Sequence, residues 1–191
     1  MRLSSVLAAI AVSLSLFSGC ASKSSCPQVP ASEPEGVWLN RLDGMLPLLG
    51  HRNWIVITDM AYPLQSGQGI TTLLADAPYL EVLQTVNEKI KAAPHVFAHV
   101  YNDKELEFIT EEMVPGIGEL RSGIRSICGP DAKSVMHEEL ISRLDEAGKL
   151  FSVLIIKTSQ TIPYTTTFFE LDCAYWDASR QAALDDLVNH P

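Results

Sequence analysis

Chemistry is concentrated in the run Gly50-His51-Arg52-Asn53-Trp54-Ile55-Val56-Ile57-Thr58-Asp59-Met60-Ala61-Tyr62-Pro63. A histidine stands just before a short apolar, β-branched stretch and an aspartate just after it. Polar groups at the two mouths of a buried strand project into pockets rather than into the core. Two further features share this placement at element boundaries: His137 in the first turn of a helix, and Pro163-Tyr164 entering a late strand. An imidazole gives or takes a proton near neutral pH. A phenol stacks on an apolar face or hydrogen-bonds a hydroxyl. Geometry limits the pairing of His51 with Asp59: eight extended residues cover roughly 26 Å at about 3.3 Å each. The two share a pocket only if the chain turns at Arg52-Asn53 or a second subunit supplies one of them.

The elements that must position these groups alternate between helical and extended patterns. Trp38, Leu42, Met45, Leu46 and Leu49 fall on one helical face, with Gly50 as the expected C-cap. Trp54–Thr58 reads as a strand buried on both faces, and a loop through Gly67 and Gly69 follows. Pro78 opens a second helix carrying Leu80, Leu83, Val86 and Ile90. His95–Tyr101 reads as a strand. Asn102 or Asp103 then caps a helix with Leu106, Ile109 and Met113 facing inward. Residues 115–130 read as loop, and Ser134 is the expected N-cap of a helix through Ala147 that ends at Gly148. Phe151–Lys157 and Thr165–Cys173 are the last strands, and the acidic stretch 177–191 is a surface segment or a final short helix. Strands separated by helices of 10–15 residues predict a single-domain, three-layer α/β sandwich with a largely parallel central sheet.

The ends and the composition bound the setting. Arg2, the apolar stretch Val6–Phe17 and the small residues Ser18-Gly19 before Cys20 read as a signal segment over residues 1–19. That stretch is shorter than the roughly 20 residues a spanning helix needs. Residues 20–36, rich in Ser, Pro and Ala, read as a flexible tether. The chain carries 14 basic and 23 acidic side chains, a net charge of −9. Without a basic cluster this balance argues against nucleic acid, whose binding rests on Lys and Arg at phosphates. About 155 residues remain for one folded domain. Cys128 and Cys173 are the only candidate disulfide pair within it, and nothing in the sequence requires the bond.

Taken in order, these segments resemble the ribose pyranase/fucose mutarotase family over roughly residues 37–176. Gly50-His51 through Asp59 and Pro63 is similar to the family's first motif. His137-Glu138-Glu139-Leu140 is similar to its second histidine segment, and Pro163-Tyr164-Thr165-Thr166 to its C-terminal sugar-binding motif. Phe17-Ser18-Gly19-Cys20 resembles a bacterial lipobox, which implies a lipid on Cys20 and an envelope-anchored protein facing the periplasm or the exterior. The resemblance implies that His51 is the acid/base residue and that Asp59 supports it or binds a sugar hydroxyl. It further implies that His137, Tyr164, Thr165 and Thr166 contact a ribose- or fucose-like monosaccharide. A ring-like homo-oligomer with sites near subunit contacts is also implied. Thr166 departs from the family, which has Asn there; threonine keeps a hydroxyl and loses the carboxamide's paired donor and acceptor.

The implied reaction opens and recloses the hemiacetal of an aldose, one group protonating the ring oxygen while another removes the hydroxyl proton. It needs no metal and no organic cofactor. At a helix N-terminus His137 is expected to favour its neutral form, because the helix dipole opposes positive charge there. Two alternatives stand beside catalysis. One is a non-catalytic envelope lipoprotein that keeps the fold to bind a saccharide or a protein. The other is metal-dependent hydrolysis, with His95 and His99 on one strand face joined by Glu105 or Glu107; no catalytic zinc spacing supports it.

Overall fold

The computed structural model describes residues 36–190. The expected signal segment, Cys20 and all but the last residue of the tether lie outside them. Every side chain of the central strand β1 (Trp54–Thr58) is buried, as its unbroken apolar run dictates. Around it stand β2 (Ile70–Leu74), β3 (Val96–Asp103), β4 (Lys133–Val135), β5 (Val153–Lys157) and β6 (Thr167–Cys173). The sheet order is β2-β5-β1-β6-β3-β4. Three of the five junctions are parallel, and β6 runs antiparallel to both its neighbours, β1 and β3. The sheet is therefore mixed within the expected sandwich.

Helices cover both faces. One face packs against α1 (Val37–Met45), α2 (Tyr79–Ala92) and α3 (Ile117–Cys128), through Leu42, Val82, Leu83, Val86, Ile117 and Ile124. The other packs against α4 (His137–Ala147), whose Leu140 and Leu144 lie over Trp54, Val56, Val153, Ile155 and Phe168. Burying one such leucine contributes about 1.5–3 kcal/mol. On that face the first half of β3 reaches solvent, Phe97 being 42% exposed, whereas Tyr101 and Asp103 are buried. The C-terminal α5 (Ala178–Asn189) buries no residue and is capped by Asp177, whose Oδ1 accepts from Arg180 N at 2.8 Å.

Several elements differ from the sequence reading, each for a local reason. Residues 115–130 contain α3, not a loop: Ile117, Leu120 and Ile124 give a helical stripe that Pro115, Gly116, Gly118 and Gly123 obscure. Glu111 caps that helix by accepting from Gly116 N and Gly118 N, both at 2.7 Å. The stretch after Asp103 is a 3-10 turn over Lys104–Phe108 rather than a helix, and Met113 is exposed. Ile70–Leu74 is an edge strand, not loop. α1 ends at Met45 and tightens to a 3-10 turn over Leu46–Leu48 at Pro47, so Gly50 does not cap it. Ser134 sits on β4 and donates to Glu107 rather than capping α4.

Candidate functional site

Strand register gathers one set of polar groups. Ile57 pairs with Thr167 and Asn102 with Thr167, so Asp59, Thr166 and Asp103 follow the last paired rows at the same sheet end. Asp103 pairs with Val135, two residues before His137 opens α4. Because β6 is antiparallel, its entry segment Tyr164–Thr166 meets the exits of β1 and β3. Ligands of α/β sheets bind at such carboxyl ends.

Within that cluster His137 Nδ1–H donates to Asp103 Oδ1 at 3.0 Å. The Tyr164 ring stands edge-on to the His137 ring, 5.7 Å between centroids. Glu105 takes the His137 N–H with both carboxylate oxygens, each at 3.1 Å. It caps a helix start that lacks a local side-chain cap. Asp103 is 1% exposed, and burial raises its pKa against the lowering pull of His137 and Thr166. The Asp103 hydrogen bond in turn raises the His137 pKa, outweighing burial. The net direction is opposite to the one the helix dipole alone predicts: a carboxylate at bonding distance outweighs the dipole. Asp103 Oδ2 and Thr166 Oγ1 are both buried without a hydrogen bond of normal geometry. Thr166 lies against the Asp103 carboxylate and lowers its pKa, so the two buried groups answer each other at the floor of the cluster.

Asp59 serves the backbone. Its Oδ1 accepts from Ala61 N at 2.7 Å and Tyr62 N at 3.1 Å, which turns the chain out of β1. Thr165, also assigned to the pocket, is fully buried and donates to Ile162 O at 2.8 Å, bracing the loop before β6. Tyr164, by contrast, is 41% exposed with φ +57°. Bulky residues rarely adopt that left-handed backbone, and functional sites hold such strain.

His51 stands at the opposite sheet end. The chain does turn there, Asn53 N donating to Gly50 O at 3.0 Å. That turn directs the imidazole onto Asp172, with Nδ1 and Oδ1 2.6 Å apart. Asp172 lies six residues along β6 from Thr166, about 20 Å away at strand rise. The structure therefore brings His137, Tyr164 and Thr166 together and leaves His51 apart from them.

Asp103, Glu105 and Asp172 had no place in the sugar site read from the sequence. Asp103 was readable in principle: it follows Tyr101 at a strand's period of two, on the face that meets α4. The proposed metal pairing is also undone. His95 Nε2 faces the carbonyls of Leu46 and Leu49, whereas His99 faces Asp172. No group of three potential metal-ligating side chains occurs among the described residues. Cys128 and Cys173 are free thiols, and burial pushes the Cys128 thiol up to about 11.

Comparison with known proteins agrees with this architecture. The model of the RbsD / FucU transport protein family matches residues 36–172, and the chain belongs to that family. It is 23% identical to a D-ribose pyranase of Thermosipho africanus over 133 residues, 68% of this chain and 89% of that protein. Its fold is similar to that of Bacillus subtilis RbsD complexed with D-ribose, at TM-score 0.51 and 17% identity, covering 69% of this chain and 91% of that one. A Streptococcus pneumoniae fucose mutarotase complexed with L-fucose aligns at TM-score 0.47 and 16% identity, over 69% and 91% of the two chains.

Proposed function

We propose that the protein is a cofactor-independent isomerase that interconverts cyclic forms of a monosaccharide. The observation that carries this reading is the cluster of His137, Asp103, Tyr164 and Thr166 gathered at one sheet end. A sugar supplies hydroxyls for the partly exposed His137 ring and an apolar face for the Tyr164 ring. Family membership and the D-ribose pyranase relative point the same way. The reaction protonates the ring oxygen, removes the anomeric hydroxyl proton and breaks the bond from C1 to the ring oxygen. Reclosure on either face, or by another hydroxyl, reverses those transfers.

His137, its pKa raised by Asp103, suits the acid at the ring oxygen. The base is His51, supplied by a second copy, since about 20 Å of β6 separates the two ends within one chain. A head-to-tail contact of this kind closes into a ring. The N-terminal lipid on Cys20 would hold that assembly at the cell envelope.

Saturation-transfer NMR on ribose and fucose tests the catalysis. The protein should exchange pyranose and furanose signals faster than buffer, and His51→Ala and His137→Ala should each abolish the gain. Co-assembling the two dead variants should restore up to about a quarter of the rate if each site draws on two copies. No acceleration by the wild-type protein with either sugar rejects the catalytic reading for them. Saccharide binding without exchange would select a binding lipoprotein. Loss of membrane partitioning in Cys20→Ala tests the anchor.

A further inference from the structure

We propose that Asp172 is the positioning residue of His51, fixing its imidazole as the Nδ1–H tautomer and presenting Nε2 as the basic atom. Two independent contacts define the tautomer. His51 Nε2 accepts from Arg52 Nε at 3.1 Å, and a guanidinium is always a donor. The proton on the ring is therefore on Nδ1, and it is donated to Asp172 Oδ1 at 2.6 Å. The side chain of His51 is 56% exposed, so no packing holds it. The carboxylate is what orients it. Asp172 is anchored in turn: its Oδ1 accepts from Cys173 N at 2.7 Å and its Oδ2 lies 3.5 Å from His99 Nε2. His99 pairs across the strands with Glu170, two residues before Asp172 and on the same sheet face. One carboxylate is thus held between two imidazoles.

Burial opposes the charge on Asp172, but the Cys173 amide, His51 and His99 hold its pKa below the usual carboxylate range. It is an anion at neutral pH, ready to stabilise the imidazolium that forms when Nε2 takes a proton. Arg52 occupies the position of the proton that Nε2 would receive. Its guanidinium rests 5.6 Å from the centroid of the Phe151 ring, and an approaching sugar hydroxyl would displace its N–H from the imidazole. Neither Asp172 nor His99 belonged to the site read from the sequence.

The kinetic half of this inference rests on the isomerase reading; the tautomer half does not. Long-range 1H–15N correlation spectra of the full-length protein report the protonated nitrogen of His51 directly. Wild type should show Nδ1–H, and Asp172→Ala should convert His51 to a mixture dominated by Nε2–H, with Asp172→Glu recovering part of the original form. In sugar exchange, Asp172→Ala should lower kcat about 10- to 100-fold with KM within about two-fold, as loss of an orienting partner does. Added to His51→Ala it should change nothing further. Persistence of Nδ1–H in Asp172→Ala would assign the tautomer to Arg52 and overturn the inference. So would a kcat within two-fold of wild type in an active enzyme. If wild type accelerates no exchange, the isomerase reading falls while the spectra still decide the role of Asp172.

Discussion

Replacing Asp103 by asparagine keeps the shape of a buried side chain and removes its charge, which isolates what the carboxylate does for His137. The bond from Nδ1 to Oδ1 is 3.0 Å and the carboxylate side chain is fully buried, while the imidazole keeps 23% exposure. A hydrogen bond to a charged group contributes about 1.5–3 kcal/mol, and about 1.4 kcal/mol corresponds to one pKa unit. Because the His137 ring is partly solvated, the lower end applies. Its pKa should fall in Asp103→Asn, because the first cause of its elevation is the Asp103 hydrogen bond. The assay is an NMR titration of the His137 Cε1–H signal from pH 4 to 9, assigned by its loss in His137→Gln. An unchanged His137 midpoint, or one that rises, would refute the reasoning.

The same substitution carries a stability prediction with a definite sign. His137 has a folded pKa raised above its unfolded value, so its contribution is complete below the unfolded pKa and fades as pH rises through the folded one. Asp103 is also raised, by burial. It therefore behaves unlike an ordinary ion-paired carboxylate. Its contribution is complete below the unfolded pKa, near 3.8, and fades as pH rises through the higher folded value. The stabilising contributions of these two groups both shrink as pH rises from the acid range into neutrality. Asp103→Asn deletes the carboxyl titration and shrinks that of His137, so the difference in urea-unfolding free energy, wild type minus variant, should fall as pH rises over this range.

Three further outcomes check the framework around the site. Glu105→Ala removes the side chain that caps α4 and should cost about 0.5–2 kcal/mol, read as a lower denaturation midpoint with an unchanged m-value. Gly69→Ala places a Cβ 2.5 Å from the carbonyl oxygens of Gly148 and Phe151. Neither backbone oxygen yields easily, so a loss of about 1–3 kcal/mol is expected in the same assay. Leu140→Ala opens a cavity beneath α4, where Leu140 is fully buried, and should cost about 2–5 kcal/mol.

The layers of the fold were legible because hydrophobic periodicity is a local property. β1, β3, β5, β6 and most of α2 and α4 follow from runs or stripes of apolar residues. The misread elements share a different character. Pro115 and Gly116 just before α3 and Gly118 and Gly123 within it dominate the local signal, yet tertiary contacts of Ile117, Leu120 and Ile124 and the Glu111 cap decide the outcome. β2 is only five residues long, and its identity comes from pairing with β5, some 80 residues away. The site divides along the same line. His137 and Tyr164 were readable from their element boundaries. Asp103 acquires its role through the pairing of β3 with β4, and Asp172 through that of β6 with β1, register that no spacing along the chain encodes.

That register also changes the meaning of the His51–Asp59 run. Read along the chain, its two polar ends suggest partners across one pocket. In the fold each end has its own carboxylate–imidazole pair: His51 with Asp172 at one sheet end, His137 with Asp103 at the other. Among the described residues the only non-glycine positions with positive φ are Arg52 and Tyr164, one beside each imidazole. Left-handed backbone costs about 1–2 kcal/mol for such residues, and a chain free to vary would place glycine there. Arg52 touches the His51 ring and Tyr164 the His137 ring, which is what keeps a side chain at each strained position. Two strained, imidazole-bearing ends on one domain are what the closure between copies proposed above would draw on.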